Sequence, residues 1–505
     1  MGTKVNSNYE DLITFTRASK GHALRPVSYG DELVTNGTFD TDSDWTKASN
    51  WSIGSDVATS DGGSGILQQT ATVLDPSKIY VFEFDVTSYT SGGVKIYSGA
   101  GSDPTDYVNA VGSYSYAFIP IGTTPSLFSN AFNGSVDNVS IKEVFFDQTD
   151  GTLTLFEHPD NVPRVEYDAD GNRLGLLVEE ARTTLVTSSE DFSGWSNINA
   201  PLEANSIEAP DGTVTATKLI ANTENGQHRR DYPRTYSAGT YTFSVFAKVG
   251  GYNYLELRLA GDGVYVDIRD GSLAGASAGI TTSYEDVGNG WKRIAITHSA
   301  GANDTARINV VETSGQRSFT GDGTSGIYIW GAQLEEGAFP TSYIKTTGST
   351  ATRSADVASI PVADFGYNQN EGTLFAEVVD YTSKPTGSNY VVSLDDNTAS
   401  NRNQIIRYNN AWIYDVKVSN VTQVSQNLGT TNDPAKVAFA FKLNDFAATE
   451  DGDAVVTDTS GTVPNVTKMT IGSAYNNSAQ LNGHIKSIKY YPRRLTNAQL
   501  QDLTS

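Results

Sequence analysis

The sequence predicts an all-β protein built of tandem β-sandwiches, on three observations. Charged residues make up only 18% of the chain, whereas glycine alone occurs 47 times, a composition that favours strands joined by tight turns over helical bundles. Apolar and polar residues alternate in several segments with the period of two that is typical of a strand with one buried face. At 505 residues the chain is too long for a single core, and its length indicates roughly three domains.

Two stretches of the chain share one plan, and each predicts a jelly-roll sandwich. Aromatic and aliphatic residues occupy alternate positions at 80–86 in the first stretch and at 241–249 in the second. In the second, Trp291 follows an Asn-Gly pair, which is a strong signal of a hairpin turn. We place these two modules at residues 31–149 and 187–346, lengths that suit one sandwich each.

A third sandwich is predicted at residues 366–505. Its runs EGTLFAEVVD and KVAFAFKLND are typical of strands, and Thr496 with Gln499 forms a capping box that starts a short C-terminal helix. Residues 150–186 are assigned to a connecting hairpin, because the apolar run at 174–178 follows the turn DADGNR. Residues 347–365 have the small, polar composition of a linker. Residues 1–30 form either an N-terminal attachment arm or a poorly ordered leader.

The charge of the chain restricts its partners. With 58 acidic against 35 basic residues the net charge is −23, so phosphate backbones and anionic lipids are repelled, whereas cations and neutral glycans are tolerated. The absence of cysteine excludes disulfides, zinc–thiolate sites and thiol nucleophiles. No signal peptide and no apolar run of membrane-spanning length are recognisable, so neither a membrane nor nucleic acid is an expected partner.

Several segments resemble a class of bacteriophage virion proteins that includes tail-fibre and head-fibre subunits. They are ITFTRAS at 13–19, LGLLVEEARTTL at 174–185 and GAFPTSYIKTTGSTATRSADVASI at 337–360, together with the module beginnings ELVTNGTFDTDSDW at Glu32 and TLVTSSEDFSGW at Thr184. The resembled proteins carry carbohydrate-binding-like β-sandwiches, and the resemblance covers most of the chain. The close of the third module, a G-x-I strand followed by Tyr-Tyr-Pro and a capped helix, resembles concanavalin-like and laminin-G-like lectin sandwiches.

The resemblance implies a virion protein that is made in the host cytoplasm and, as is usual for such fibres, forms a homotrimer in contact with other virion proteins. It implies two jelly-roll carbohydrate-binding-like modules followed by a concanavalin-like module, with host-cell surface polysaccharide as the ligand. Phe15 and Arg17 in the N-terminal arm are the candidate virion-attachment residues. A structural calcium is common in the resembled families, but no ligand set is identifiable, since DADG at 168–171 lacks the further ligands of a calcium loop.

Aromatic side chains near turns, with amide neighbours that suit sugar hydroxyls, are the candidate carbohydrate-binding residues. They are Trp45, Trp51, Tyr408, Asn410, Trp412 and Tyr475. For each ring the alternative is burial in a core, the usual place of a large aromatic side chain. The alternation in AWIYDVKV favours burial of Trp412, which leaves Tyr408 as the better candidate in the third module.

The sequence gives no positive sign of catalysis, and we predict that the protein is not an enzyme. The pairs Glu179-Glu180 and Glu335-Glu336 are adjacent in sequence, and adjacent side chains of a strand point to opposite faces, so neither pair is suited to act jointly on a glycosidic bond. The five histidines show no HExxH spacing, and no G-x-S-x-G is present. No cofactor is expected.

The predicted function is therefore host-glycan binding by a non-enzymatic phage fibre or tail protein. One alternative is a purely structural capsid-decoration or tail-scaffold protein, which has the same fold but no aromatic ring exposed on a binding platform. The other is a polysaccharide depolymerase, although the regular short repeats of the parallel β-helix that is usual in such enzymes are absent.

Overall fold

The computed structural model describes residues 12–99, 107–233, 237–300, 305–379, 388–409, 411–430 and 434–505. This described part is almost entirely β-structure, with one α-helix at its C-terminal end. The chain divides into two compact units. The small unit contains Arg25–Leu153 and Glu157–Pro159, and the large unit contains the described residues of Met1–Leu24, Thr154–Phe156 and Asp160–Ser505. No helix in the described ranges has the length and apolarity needed to cross a bilayer.

The strands of the N-terminal third, in chain order, are β1 (Thr14–Thr16), β2 (Gly21–Tyr29), β3 (Trp45–Lys47), β4 (Trp51–Gly54), β5 (Val57–Asp61), β6 (Gly65–Gln69), β7 (Tyr80–Tyr97), β8 (Gly112–Phe118), β9 (Ser126–Phe146), β10 (Thr152–His158), β11 (Val165–Tyr167), β12 (Arg173–Val178) and β13 (Arg182–Thr184). The middle third contains β14 (Ser196–Ile198), β15 (Leu202–Ile207), β16 (Ala216–Ile220), β17 (Asn225–Pro233), β18 (Gly239–Gly250), β19 (Tyr254–Leu259), β20 (Asp262–Asp267), β21 (Leu273–Ala274), β22 (Thr281–Asp286), β23 (Lys292–Ala300), β24 (Thr305–Val311), β25 (Ser318–Thr320) and β26 (Gly326–Glu336). The C-terminal third contains β27 (Ala351–Arg353), β28 (Val357–Pro361), a 3₁₀ turn (Val362–Asp364), β29 (Glu371–Val379), β30 (Ser388–Asp395), β31 (Arg402–Tyr408), β32 (Ala411–Val418), β33 (Val421–Thr430), β34 (Ala435–Lys442), β35 (Phe446–Glu450), β36 (Val456–Asp458), β37 (Lys468–Ile471), β38 (Gly483–Tyr491) and α1 (Asn497–Thr504).

In the small unit, β9 is the central strand. It is 21 residues long and pairs with β2, β5, β6 and β7. The alternation predicted at residues 80–86 is confirmed, because Tyr80, Phe82, Phe84 and Val86 of β7 are at most 3% exposed and belong to one core. The register between β7 and β9 shifts at several points, and such bulges allow two long strands to bend together.

Two sheets of the large unit share a core built from residues between 186 and 334, and we call this pair the middle sandwich. The β18 sheet has the order β15-β16-β26-β18-β23-β22, with β13 beside β26 and β27 beside β13. The β19 sheet has the order β14-β17-β24-β19-β20-β21, with β25 beside β17. Phe243 and Val245 of β18 share the core with Leu255 and Leu257 of β19, so the alternation predicted at residues 241–249 is also confirmed.

The hairpin turn predicted before Trp291 is present between β22 and β23. Asn289 and Gly290 both have positive φ angles, 51° and 77°, as a tight hairpin turn of Asn-Gly sequence requires. Trp291 is 1% exposed, and its indole N–H donates to the carbonyl oxygen of Glu208 at 3.1 Å. This tryptophan is therefore buried, although it lies outside the shared core of the two sheets.

The other two sheets of the large unit form the C-terminal sandwich. The β31 sheet has the order β1-β28-β37-β30-β31-β32-β33, and the β29 sheet has the order β11-β12-β38-β29-β34-β35-β36. The predicted C-terminal helix is α1, and its capping box is present: Thr496 Oγ1 accepts from the N–H of Gln499, whose side chain accepts from the N–H of Thr496. Leu500 of α1 is fully buried in a small core beside Phe375.

The C-terminal sandwich includes segments from elsewhere in the chain, which corrects the predicted boundaries. Strand β1 pairs with β28, and the hairpin β11–β12 joins β38, where Leu176 lies opposite Ile485. The strand predicted at 174–178 is confirmed as buried, since Leu176, Leu177 and Val178 are at most 4% exposed. The linker predicted at 347–365 is wrong, because it contains β27, which pairs with β13, and β28, which pairs with β1 and β37. The segment 347–365 is polar in composition, but the strands that pair with it lie far away in the sequence.

A buried ionic cluster joins these segments. It consists of Arg17, Arg164, Arg353, Glu179 and Asp356, each at most 5% exposed. Arg164 Nη2 donates to Asp356 Oδ2 at 2.6 Å and to Glu179 Oε2 at 2.8 Å. Arg17 Nη1 lies 3.3 Å from Asp356 Oδ1, and Arg353 Nη2 lies 3.4 Å from Glu179 Oε2. Charge-assisted hydrogen bonds therefore connect the segment before β2, the end of β12 and the connection from β27 to β28.

Opposite charges keep the groups of this cluster ionised despite their burial. Burial by itself raises the pKa of Glu179, but the charges of Arg353 and Arg164, together with hydrogen bonds from Ser342, hold that pKa well below its usual range. Burial lowers the pKa of Arg17 to about 10, and the like charge of Arg164 lowers it as well. The cluster thus brings three guanidinium groups and two carboxyl groups together in the interior of the large unit.

Candidate functional site

The predicted tryptophan candidates are all core residues. Trp45 and Trp51 are 6% and 5% exposed, and their indole N–H groups donate to the carbonyl oxygens of Asn36 and Gly65 at 2.9 and 3.2 Å. Trp412 is fully buried in the C-terminal sandwich. Burial was the alternative considered for each of these rings, and it is confirmed for all three. None of them can stack on a sugar at the surface.

Two of the remaining carbohydrate candidates, Tyr408 and Tyr475, lie in the part of the chain that the structure describes. Tyr408 is 48% exposed at the end of β31, and Tyr475 is half-buried in the connection between β37 and β38. No ring contact joins these two tyrosines within the described ranges. Asn410 lies outside the described residues. Tyr408 therefore stays an isolated exposed ring.

The two candidate attachment residues are buried. Phe15 is 7% exposed and belongs to the core of the C-terminal sandwich, whereas Arg17 is 1% exposed and belongs to the ionic cluster. Their burial contradicts a role in docking to another virion protein. Local sequence gave no sign of it, since a three-residue strand among polar residues resembles an exposed arm until its pairing with β28 is known.

Within each pair of adjacent glutamates, the two side chains have different surroundings. Glu179 is bound in the ionic cluster, whereas Glu180 Oε1 faces Arg182 Nη2 at 2.7 Å. Glu335 is fully buried, where its carboxylate accepts from the N–H and Oγ1 of Thr341, while its neighbour in sequence is exposed. Neither pair presents two carboxylates to one substrate.

The candidate functional site lies instead on the outer face of the β19 sheet, which is turned away from the core. Residues opposite each other on paired strands lie side by side there and form rows. The first row is Arg229, Asn309, Glu256 and Tyr265. The second row is Asp231, Arg307, Arg258 and Gly263. Tyr254, Asp267, Arg269 and Arg317 complete the surface, which we call the arginine–tyrosine face. With strands about 4.8 Å apart, a row of four extends over roughly 14 Å.

Glu256 occupies the centre of the arginine–tyrosine face. Its side chain is 1% exposed, and its carboxylate accepts from Arg317 Nε at 2.8 Å, Arg258 Nη1 at 2.9 Å and Asn309 Nδ2 at 3.0 Å. Gly263 leaves room for Arg258, because a Cβ at that position would lie 2.6 Å from Arg258 Cγ. Both oxygens of Glu256 are therefore engaged by donors of the protein.

Two further carboxylates are covered by arginines in the same way. Asp231 Oδ1 accepts from Arg307 Nε at 2.6 Å and from Arg229 Nε at 3.1 Å. Asp267 accepts from Arg269 Nε at 2.9 Å and from Arg269 Nη2 at 2.5 Å. Hydrogen bonding to Arg269 lowers the pKa of Asp267, so this carboxylate is ionised at neutral pH. The acids of the face thus hold the guanidinium groups in fixed orientations.

Two tyrosines lie among these ion pairs. The guanidinium carbon of Arg317 is 5.5 Å from the ring centroid of Tyr265, and that of Arg269 is 5.8 Å from the ring centroid of Tyr254, both within cation–π range. Burial, with a contribution from the charge of Glu256, raises the pKa of Tyr265, which therefore remains a neutral phenol. Tyr254 is only half-buried, so part of its ring is open to solvent.

The arginine–tyrosine face offers a ligand mainly hydrogen-bond donors. The side chains of Arg317 and Arg269 are 41% and 55% exposed. The terminal nitrogens of Arg307 have no hydrogen-bond partner within the described ranges. Asn309 Oδ1, an acceptor, is buried and also has no partner among the residues that the structure describes. The face can therefore receive acceptor groups of a ligand at its arginines.

Sequence reasoning missed this surface, although a signal was present. The segments YLELR at 254–258 and YVDIR at 265–269 both place a tyrosine, an acid and an arginine at alternate positions. Alternate residues of a strand share a face, and these two segments are neighbours through the pairing of β19 with β20. An ordinary solvent-facing strand shows the same polar–apolar alternation, so the pattern stands out only when the two segments are compared.

Comparisons with known proteins give weak similarities. No family model matches the chain, and no curated protein matches it. The tandem CBM22-1–CBM22-2 domain of Paenibacillus barcinonensis Xyn10C aligns with 61% of this chain and 98% of its own length, at 12% identity and a TM-score of 0.20. The LG1-3 region of the laminin alpha2 chain aligns with 86% of this chain and 97% of its own length, at 10% identity and a TM-score of 0.16. Similarities this low carry no argument about function, and the all-β fold rests on the sheets described above.

Proposed function

We propose that the protein binds polysaccharide without cleaving it, and that the arginine–tyrosine face is its binding site. The observation that carries this proposal is the convergence, on one sheet face, of exposed guanidinium donors and the half-exposed ring of Tyr254. Polar groups fixed beside an aromatic ring suit a sugar, which has hydroxyl groups at its edge and C–H groups on its faces. Groups held by ion pairs with largely buried carboxylates keep their orientation without a ligand, which reduces the entropic cost of binding.

We also propose that this binding serves host attachment by a phage fibre or tail protein, in which the chain is a homotrimer among other virion proteins and the ligand is host-cell surface polysaccharide. Support for this setting comes from the sequence resemblance at residues 13–19, 174–185 and 337–360. In this proposal the receptor site lies in the middle sandwich. The C-terminal sandwich is the weaker candidate, because Trp412 is fully buried and Tyr408 is isolated.

The test is binding of the full chain to a panel of purified bacterial surface polysaccharides, with Tyr254→Ala as the informative variant. If a sugar stacks as a nucleic-acid base does, loss of the ring costs about 1–3 kcal/mol, or roughly a 5- to 150-fold rise in Kd. Tyr254→Phe retains the ring and should bind within a few-fold of the wild type. Tyr408→Ala is the matched control, since it removes an exposed tyrosine from the C-terminal sandwich.

Three results contradict the proposal. Weaker binding by Tyr408→Ala with unchanged binding by Tyr254→Ala places the site on the C-terminal sandwich. Release of reducing ends from a bound polysaccharide, abolished by heating the protein, shows that the protein is an enzyme. Failure to bind every polysaccharide of the panel favours the purely structural alternative.

A further inference from the structure

We propose that the ligand of the arginine–tyrosine face is an acidic polysaccharide, whose uronate carboxylates bind the exposed guanidinium groups. This inference rests on the proposed function and narrows it to one chemical class. It reverses the expectation from net charge alone, which favours neutral glycans and cations as partners.

The charge of this face is opposite in sign to that of the chain. Its defining residues include five arginines, at positions 229, 258, 269, 307 and 317, against three carboxylates, at positions 231, 256 and 267, which leaves an excess of two positive charges. The chain as a whole carries a formal charge of −23. An excess of cations on one sheet face of so acidic a protein marks the place where an anionic ligand can bind.

The two signs of charge also differ in exposure. The carboxylate side chains of Glu256, Asp267 and Asp231 are 1%, 4% and 15% exposed. The guanidinium side chains of Arg317 and Arg269, by contrast, are 41% and 55% exposed. A ligand that reaches the surface therefore meets cationic donors, while the compensating acids lie beneath them with their oxygens already occupied.

The excess of exposed donors over exposed acceptors favours acidic glycans over neutral ones. A neutral sugar presents hydroxyl groups that both donate and accept, and it is best matched by a surface with donors and acceptors in similar number. A uronate adds a carboxylate, whose two oxygens accept from the fork of a guanidinium in a charge-assisted, directional pair. The exposed N–H groups of Arg317 and Arg269 match that group, as do the terminal nitrogens of the partly exposed Arg307.

The remaining chain is acidic and repels a polyanion, so binding to the arginine–tyrosine face depends on the salt concentration. At about 0.15 M salt the Debye length is about 8 Å, so the repulsion between a polyanion and distant carboxylates is largely screened. Contacts within the arginine–tyrosine face are much shorter than this distance and persist. The face therefore captures an acidic chain through contact, without attraction by the overall field of the protein.

The test uses the full chain at about 0.15 M salt with three uronate polymers, namely polygalacturonate, alginate and hyaluronan, and with the carboxyl-reduced form of the polymer that binds best. Reduction keeps the sugar rings and removes the charge, and we expect it to raise Kd about tenfold or more, the scale of a lost hydrogen bond to a charged group. Arg317→Gln and Arg269→Gln should each weaken binding of the uronate polymer by a larger factor than binding of its reduced form. Arg493→Gln is the charge-matched control, because Arg493 is an exposed arginine of the C-terminal sandwich.

The outcomes separate this inference from the proposed function. Equal binding of the uronate polymer and its reduced form, with loss of binding in Tyr254→Ala, overturns the acidic class and retains the glycan site. Equal binding of dextran sulfate, unaffected by Tyr254→Ala, shows ion exchange alone and overturns the inference. Absence of binding to uronate and neutral polymers alike overturns both proposals. If Arg317→Gln does not fold, because it uncovers Glu256, then Arg269→Gln decides, since that side chain is 55% exposed.

Discussion

Replacement of Asp356 by asparagine tests whether the buried ionic cluster stabilises the large unit. Asp356 accepts from Arg164 at 2.6 Å, from Arg17 at 3.3 Å and from the backbone N–H of Glu179 at 2.9 Å. Asparagine preserves the size of the side chain but removes its charge, so three buried guanidinium groups face a single carboxylate. Removal of one partner from a buried ion pair costs about 3–5 kcal/mol, because the other charge remains without compensation. Against a typical domain stability of about 5–15 kcal/mol, this is a large loss.

The assay is urea unfolding followed by tryptophan fluorescence. Trp291, Trp330 and Trp412 are at most 1% exposed in the large unit, so their emission reports its unfolding. The control is Glu377→Gln, which breaks the pair between Lys486 and Glu377 at 3.4 Å. That pair is 47% and 22% exposed, and its loss should cost about 0–1 kcal/mol. An Asp356→Asn protein that is no less stable than this control would refute the reasoning, because it would show that the cluster does not depend on its full charge.

Three further predictions follow from the fold. Trp412→Ala should lower the free energy of unfolding by about 3–5 kcal/mol, as loss of a fully buried tryptophan does, whereas a loss below about 1 kcal/mol in urea unfolding would place the ring outside the core. Residues 346–357 should resist limited proteolysis because β27 is paired with β13 and Arg353 is buried, and an early tryptic cut after Arg353 in mass spectrometry would contradict this. Burial, with contributions from Asp451 and Asp453, raises the pKa of Glu450 to about 7 from an ordinary value of 4.5. The folded state then binds this proton more tightly than the unfolded chain, so stability is lost as pH rises from about 4.5 to 7. Glu450→Gln should remove this loss, and equal changes in Tm between pH 5 and pH 8 in both proteins would show that Glu450 is not its source.

The parts of the fold that depend on local pattern could be predicted from the sequence. The alternating apolar residues of β7 and β18 identify buried strand faces because the period of two is a property of the strand itself. The capping box of α1 and the Asn-Gly turn before Trp291 are local in the same sense, since each involves residues at most three positions apart. Such signals fix the fold class and several strands without any knowledge of the tertiary structure.

The parts that depend on distant partners could not be predicted. The segment from Thr346 to Val357 has the composition of a linker, yet Arg353 and Asp356 are buried there by ion pairs with residues from the first half of the chain. A charged residue in a polar segment has no local feature that predicts an ion pair with a residue far away in the sequence. The candidate site was missed for a related reason, since most side chains of the arginine–tyrosine face come from four strands whose order in the sheet is not their order in the chain.

The two arginine clusters of the large unit show that burial, more than residue type, decides what an arginine does. In the ionic cluster both members of each pair are buried, so the guanidinium groups bind only protein and serve the architecture. In the arginine–tyrosine face the carboxylate side chains are 1% to 15% exposed, whereas the side chains of Arg317 and Arg269 are 41% and 55% exposed and retain the capacity to bind a ligand. A formal charge of −23 counts both clusters alike. Net charge therefore describes the average field of this protein, and it does not exclude a polyanion from a face where the negative charges lie beneath the positive ones.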